Sequence, residues 1–285
     1  MSWLIEPLTY AFMQRGLLAA LIVGILCAVI GCYVVLRSMA FLGDAMAHAV
    51  LPGVALAYLL ERNLALGALV AAVVVALLIG TISRQGTVKE DTAIGILFAA
   101  ALSLGVVLIS SIRTYAVDLS HILFGNVLGV SKADLWLTAV LGGVVLIVVF
   151  VCYKPFLVIS FDPVLAATLR LPAEFLRNLM FVLLALTIVV SMQTVGVGLA
   201  SAMLVTPAAT AYLVTRRLPA MMAISAIVGC LSSILGLYAS YYLNIASGAA
   251  IVLTATGFFF IAFLFSKDKG VLRRLAKFSH YRPAG

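Results

Sequence analysis

Charged side chains are scarce in this sequence, and their scarcity excludes a soluble protein. Lysine, arginine, aspartate and glutamate make up only 10% of the 285 residues, whereas apolar residues make up 65%. Together with a mean hydropathy of +1.25, these fractions lie outside the range of soluble globular domains. The composition predicts an integral membrane protein, with room for many helical spans of about 20 residues each.

The sequence also lacks the motifs of enzymes and of nucleic-acid-binding proteins. It contains no nucleophile–base set and no H-E-x-x-H zinc motif, so we expect no enzymatic activity. The formal net charge is +8, but no base-reading or stacking motif accompanies it, so we expect no nucleic-acid partner. The four cysteines lie within apolar runs without metal-binding or redox spacing, which is typical of packing residues. No basic segment with a small-residue cleavage site opens the chain, so we expect no removable signal peptide.

Apolar runs long enough to cross a bilayer recur along the chain. We predict an all-α integral membrane bundle of nine transmembrane helices. Eight are possible if the corner at Gly196 and Gly198 joins two short helices differently. The predicted spans run approximately over residues 16–36, 40–60, 64–82, 92–112, 135–153, 179–195, 198–214, 220–243 and 247–265.

The distribution of lysine and arginine predicts the orientation in the membrane, because cytoplasmic loops carry an excess of these residues. With nine spans and a cytoplasmic C-terminus, only four of the 18 basic residues face outward, namely Arg15, Arg62, Arg113 and Lys132. The other 14 then face the cytoplasm. We therefore expect residues 266–285 to form a basic cytoplasmic tail.

Residues 160–178 form the one markedly amphipathic segment, and the predicted orientation places it in the cytoplasm. Asp162 is typical of a helix N-cap, Pro163 of a first helical position, and Pro172 of a helix end. We interpret the segment as a short surface helix that receives force from a soluble motor subunit. The alternative is an interfacial helix that lies on lipid.

The most informative stretch is FLGDAMAHAVLPGVALAY, residues 41–58. Asp44 and His48 lie one turn apart on the same side of an apolar helix, where a charged group is costly and seldom kept without a function or a partner. Pro52 has no N–H to return to the His48 carbonyl, so we expect the helix to break and that carbonyl to be free. Carboxylate, imidazole and carbonyl donors suit Mn²⁺, Fe²⁺ or Zn²⁺. We hypothesise that Asp44 and His48 bind a metal ion inside the membrane.

Simpler interpretations of the same residues stay open. Asp44 could cap the helix that follows it. His48 could be a packed side chain bonded to a neighbouring helix, and Pro52 could mark only a kink.

Two other places are candidates for part of an ion path. Asp118 and His121, spaced i and i+3, could form a second metal site on the outer side. Around residues 193–207, Pro207 should free the carbonyl of Met203 and break a second helix that could line the path.

Six stretches of the sequence resemble, in order, the signatures of the permease subunits of bacterial ATP-driven importers for manganese, zinc and iron(II), the metal-ion ABC-3 family. The resemblance extends from Trp3 to Phe265 and leaves only the basic tail outside. The stretches are LGDAMAHAVLPGVALAY (42–58), DTAIGILFAAALSLGV (91–106), DLSHILFGNVLGV (118–130), SFDPVLAATLRLP (160–172), MQTVGVGLASAMLVTPAATAYL (192–213) and ASGAAIVLTATGFF (246–259).

This resemblance implies that residues 1–285 form a single permease domain with a type II ABC-importer-like fold in the bacterial plasma membrane. It implies a dimer with a second copy or a paralogue, and two cytoplasmic ATP-binding-cassette subunits docked at a coupling helix within residues 160–178. It also implies an extracytoplasmic solute-binding protein that delivers the ion. Hydrolysis of ATP would then occur in separate subunits.

By the same resemblance, Asp44 and His48 match the metal-coordinating pair of the family, and two subunits would supply two such pairs about a shared axis. Asp118 and His121 belong to a short outer helix near the mouth of the path. The implied cargo is a divalent ion, Mn²⁺ in first place and otherwise Zn²⁺ or Fe²⁺, and no permanently bound cofactor is implied.

A gradient-driven secondary cation transporter is the alternative function, in which Asp44 and His48 relay protons. The amphipathic cytoplasmic segment argues against this alternative, and so does the resemblance.

Overall fold

The computed structural model describes residues 6–84, 89–111, 127–161 and 163–266. These residues form α-helices joined by short turns, with 3-10 turns at Pro7–Thr9 and Val127–Gly129 and with no β-strand among them. The helices are α1 (Ala11–Leu36), α2 (Phe41–Ala49), α3 (Leu51–Leu59), α4 (Leu64–Arg84), α5 (Glu90–Ser110), α6 (Lys132–Val151), α7 (Tyr153–Phe161), α8 (Pro163–Thr168), α9 (Ala173–Val195), α10 (Val197–Val214), α11 (Leu218–Leu243) and α12 (Ser247–Phe265).

Nine helical stretches within the described ranges are long and apolar enough to cross a membrane. One of them is α2 followed by α3, and the short helices α7 and α8 are not counted. The predicted all-α bundle is confirmed, with nine spans and not eight, because Gly196 separates α9 from α10. Its φ of 88° and ψ of 163° lie where side chains other than hydrogen are strained.

Left-handed residues other than glycine lie at the ends of four helices, at Ser38, Glu61, Arg170 and Asn244. Ser38, Glu61 and Arg170 have φ values of 58°, 51° and 51°. The backbone amide of the residue that follows each of these three donates to the carbonyl five residues earlier, as from Met39 to Val34 at 3.0 Å. This is the Schellman arrangement, which satisfies the last carbonyls of a helix. After α1 it turns the chain directly into α2, the helix that carries the predicted site.

Within residues 160–178, the short helix that Pro163 and Pro172 predict is α8, and the rest of the segment belongs to α7, a turn and α9. α8 covers only Pro163–Thr168, and α9 begins at Ala173, six residues before the predicted start of the sixth span. The turn at Arg170 ends α8, and Pro172 directly precedes α9. Pro163 does open α8 as predicted, whereas Asp162 lies outside the described residues.

Helix α1 lies in the interior of the bundle, and most of its side chains are buried. Its small residues allow neighbouring backbones to approach closely. The α-carbon of Gly31 lies against the carbonyl of Leu204 in α10, and the hydroxyl of Ser233 in α11 donates to the Ala20 carbonyl at 3.1 Å. The core is therefore organised around α1, with α10 and α11 packed against it.

The outer helices present large apolar side chains to the surroundings, as contact with lipid requires. Helices α4, α6 and α12 each contribute more of these side chains than any other helix. Examples are Val70, Trp136, Val140, Ile147, Leu253 and Phe260.

Candidate functional site

The predicted site lies where the second span is interrupted. α2 ends at Ala49, α3 begins at Leu51, and Pro52 is the second residue of α3. The predicted break is confirmed. That the His48 carbonyl is free stays a prediction.

Asp44 and His48 lie together on one side of α2. The distance between Asp44 Oδ1 and His48 Nε2 is 3.7 Å, and the two side chains are 46% and 27% exposed, respectively. Ligand atoms bonded to one cation at about 2.0–2.2 Å lie roughly 3 to 3.5 Å apart. The two atoms therefore need to move by only a few tenths of an ångström to share one divalent ion.

The alternative role of Asp44 as a helix cap is wrong. Ala40 occupies the N-cap position of α2, and no side-chain cap bond is formed there. Asp44 lies within the first turn instead, where its charge is favourable to the helix dipole. Its carboxylate is thus available to a ligand in the part of the chain that the structure describes.

Among the described residues, the His48 ring contacts a neighbouring helix by aromatic packing and not by a hydrogen bond. Its Nδ1 atom is buried and has no hydrogen-bond partner among the described residues. Its ring meets Phe98 of α5 edge to face, with centroids 5.6 Å apart, and Phe98 in turn contacts Phe41 at 5.4 Å. The aromatic side chains orient the imidazole by packing alone, and they leave Nε2 beside Asp44.

Asp44 and His48 offer two donor atoms in the part of the chain that the structure describes. No group of three or more His, Cys, Asp or Glu side chains that could hold a metal ion occurs in the described ranges. Structural and catalytic sites for first-row divalent ions usually have at least three protein ligands. The two donors therefore fall short of a complete metal site in the described ranges.

The other predicted candidates are not brought to this pair. Asp118 and His121 lie outside the described residues. Pro207 is buried within α10, which is continuous from Val197 to Val214, so the prediction of a second broken helix is wrong. α10 packs against α2 through the Leu204 side chain at Gly43, on a different side of α2 from Asp44.

An apolar cleft of about 670 Å³ lies between α3, α4 and α5. Pro52, Leu56 and Val70 are among its lining residues, and Arg62 and Asn63 lie at one end. Neither Asp44 nor His48 lines it. The cleft lacks the donors that a metal ion needs.

Sequence reasoning missed one ion pair. A guanidinium nitrogen of Arg37, directly after α1, donates to both carboxylate oxygens of Glu90, the first residue of α5, at 3.1 and 3.0 Å. Burial lowers the pKa of Arg37, and the Glu90 carboxylate opposes that shift. The only signal available in the sequence was that both residues end spans on the predicted cytoplasmic side.

The nine candidate spans among the described residues define a polytopic membrane protein. The chain matches the ABC 3 transport family over residues 9–266, which is nearly its whole length. It belongs to this family, and the predicted resemblance is confirmed.

Named relatives agree with this assignment. The manganese transport system membrane protein MntC of Halalkalibacterium halodurans is 50% identical over 269 residues, which are 94% of this chain and 92% of that protein. The chelated iron transport system membrane protein YfeD of Yersinia pestis is 40% identical over 273 residues, 96% of this chain and 92% of that protein.

A solved structure also matches the whole fold. It is described as PsaBC from Streptococcus pneumoniae in complex with Fab, and the matched chain is 41% identical. The TM-score is 0.84, and the match covers 95% of this chain and 98% of the other. The present chain is accordingly a metal-transport permease of the ABC type.

Proposed function

We propose that this chain is the membrane subunit of an ATP-driven importer that moves divalent transition-metal ions into the cytoplasm, with Asp44 and His48 as protein ligands on the path. The observation that carries the proposal is the 3.7 Å approach of Asp44 Oδ1 to His48 Nε2 inside a membrane span. We rank Mn²⁺ first, because the MntC relative is named for manganese. Iron comes next, because the YfeD relative is named for chelated iron, and Fe²⁺ and Zn²⁺ suit the same donors.

The proposed transport cycle is alternating access. A delivered ion loses water, contacts the Asp44 carboxylate and the neutral His48 imidazole, and leaves when the cytoplasmic side opens. Two borderline donors bind such an ion less tightly than a closed thiolate cage would, so release into the cytoplasm stays possible.

A second permease copy, or a paralogue, completes the site in this proposal. Asp44 and His48 remain 46% and 27% exposed on the surface of the single bundle, with the exposed Phe41 beside them. Lipid cannot satisfy a carboxylate at membrane depth. A second subunit facing this side would remove the pair from lipid, and it would raise the number of donors from two to four about a shared axis.

Two cytoplasmic ATP-binding-cassette subunits are proposed to dock around α8. Large apolar side chains at the end of α7, in α8 and at the start of α9 are exposed: Phe161, Val164, Leu165, Leu169 and Phe175. Apolar groups clustered outside the spans are typical of an interaction surface. The orientation rule places this surface in the cytoplasm with the C-terminus, and an extracytoplasmic binding protein would deliver the ion on the opposite side of the bacterial plasma membrane.

We expect metal uptake to require ATP. The permease, reconstituted in vesicles with its ATPase subunits and loaded binding protein, should accumulate Mn²⁺ with ATP and should show only background uptake with a non-hydrolysable analogue. Competition among Mn²⁺, Fe²⁺ and Zn²⁺ then ranks the cargo.

The matched control is the permease alone under an imposed proton gradient. Uptake in that control at the rate of the full assembly would contradict an ATP-driven importer and would favour the proton-relay alternative. Background uptake there, with ATP-dependent uptake by the assembly, would support the proposal.

A further inference from the structure

The ion pair between Arg37 and Glu90 joins two spans that are distant in sequence. Their side chains are only 12% and 26% exposed, and desolvating two charges is costly unless they remain paired. The pair occupies the end of the bundle that the orientation rule assigns to the cytoplasm, opposite the proposed entry of the ion.

Arg37 is also attached to α9, the span that follows α8. Its guanidinium carbon lies 5.8 Å from the ring centre of Phe181, within the range of a cation–π contact, and its Nη1 lies 3.9 Å from the Met180 sulfur. One turn earlier on α9, Arg177 donates to the Gly80 carbonyl of α4 at 3.1 Å. Helix α9 therefore connects the surface around α8 to the residues that contact Arg37.

A row of residues on one side of α5 connects Glu90 to the Asp44–His48 pair. Glu90, Ile94 and Phe98 are spaced at i, i+4 and i+8, so they share one side of the helix. Ile94 is fully buried, and Phe98 contacts both Phe41 and His48. A displacement of Glu90 thus moves the ring that packs against the imidazole.

The same side of α5 also contacts the second half of the broken span. A β-carbon added at Gly105 would lie 2.9 Å from Leu51 Cβ and 3.3 Å from the Pro52 nitrogen. Helix α5 therefore touches α2 through Phe98 and α3 at the break itself. A rigid helix with contacts on both halves can change the angle between them.

We propose that Arg37 and Glu90 are positioning residues that couple movement at the α8 surface to the Asp44–His48 pair through α5. The inference rests on the proposed ATP-driven import. Neither residue contacts the ion. Their pairing holds α5 against the broken span in the state that retains the ion, and its separation releases both.

The test uses the full assembly in vesicles, with Mn²⁺ as the probe, and measures uptake, ATP hydrolysis and the amount of assembled complex. Glu90→Gln keeps the shape of the side chain and removes its charge, and Asp91→Asn makes the same change at the exposed neighbouring acid. We expect Glu90→Gln to lower the Mn²⁺ transported per ATP hydrolysed by about tenfold, which lies within the usual range of coupling between sites. Asp91→Asn should leave that ratio unchanged.

A second set of variants is needed because an unpaired buried charge could prevent assembly of the complex. The doubly exchanged variant Arg37→Glu/Glu90→Arg restores opposite charges. We expect it to recover at least part of the transport ratio that each single exchange loses. Phe98→Ala should lower the ratio in the same way while leaving the ion pair intact.

Three outcomes would overturn the coupling role. The first is an unchanged ratio of Mn²⁺ transported to ATP hydrolysed in Glu90→Gln. The second is a proportional fall of assembly, hydrolysis and uptake, which indicates that the ion pair only stabilises the structure. The third is an exchanged variant that assembles normally without recovering the ratio. Failure of the wild-type assembly to take up Mn²⁺ would overturn the proposed function and this inference with it, and the wild-type measurement alone identifies that case.

Discussion

Asp44→Asn and His48→Ala are each expected to lower Mn²⁺ uptake by the reconstituted assembly at least about a hundredfold. Removing a group that only orients a metal ligand typically costs 10- to 100-fold in affinity or activity, so removing a ligand should cost at least as much. Asn keeps the shape of Asp44 but cannot neutralise a divalent charge inside the membrane. Ala removes Nε2, which lies 3.7 Å from the carboxylate.

The measurement is initial uptake of Mn²⁺ at saturating ATP, with assembly checked by size-exclusion chromatography. Asp91→Asn is the matched control for the aspartate, because Asp91 is exposed at the start of α5 and lies far from the pair in sequence. Wild-type uptake in both site variants would mean that the pair is structural. The path would then lie elsewhere, for example along the side of α10 near residues 193–207.

A variant with both substitutions tests whether Asp44 and His48 act on the same ion. If both residues bind one ion, Asp44→Asn/His48→Ala should be hardly worse than the more severe single variant, because residues that act as a unit are strongly non-additive. Additive losses would indicate that the two residues act on separate steps.

Most of the bundle could be predicted from the sequence because lipid imposes a simple length requirement on apolar runs. Each predicted span overlaps a helix of the structure, and the break at Pro52 follows from its missing N–H. The i, i+4 spacing likewise predicts the neighbouring positions of Asp44 and His48, which the 3.7 Å distance confirms. Their role as metal ligands stays a prediction.

The errors have a common physical cause, which is that local patterns do not include tertiary packing. Residues 173–178 are polar enough to read as surface, yet they form the first turns of α9. Helix α8 ends before them at Arg170, whose left-handed conformation is rare for a residue other than glycine. Pro207 does not break α10, within which it lies buried. Proline is tolerated in membrane helices because neighbouring helices and Ser or Thr side chains can satisfy the backbone groups that it frees.

The Arg37–Glu90 pair could not be predicted from spacing at all. The two residues are 53 positions apart, and their meeting depends on how α1, α5 and α9 pack. The sequence indicated only that each residue ends a span on the same predicted side. Partner choice among several such charges is determined by the fold.

Gly31→Ala is expected to destabilise the whole bundle by at least about 3 kcal/mol. Overpacking usually costs 1–3 kcal/mol, and here the obstacle is backbone, which cannot rotate away. An added β-carbon would overlap the Leu204 carbonyl and would lie 3.3 Å from the Ala208 methyl group. Either α1 and α10 separate, or the helix of Leu204 bends.

The measurement is thermal unfolding of the purified permease in detergent. By the usual scaling for larger domains, a loss of about 3 kcal/mol lowers Tm by roughly 6–12 °C. Gly143→Ala is the matched control, because an added β-carbon there meets nothing within 4 Å. Alanine is the better helix former by about 0.5–1 kcal/mol, so this control should raise Tm slightly. A Tm for Gly31→Ala equal to that of the control would contradict the close approach of α1 and α10.

The Tm of Gly43→Ala should fall between those of Gly31→Ala and Gly143→Ala. Gly43 also connects the packing of α10 to the candidate site. Its β-carbon would meet the end of the Leu204 side chain at 2.6 Å, and a flexible methyl group can move where a carbonyl cannot. Leu204 thus contacts α1 through its backbone and α2 through its side chain, one residue from Asp44. Because one residue holds both helices, a disturbance at Gly31 should displace α2 and reduce Mn²⁺ uptake even in the fraction of Gly31→Ala that remains folded.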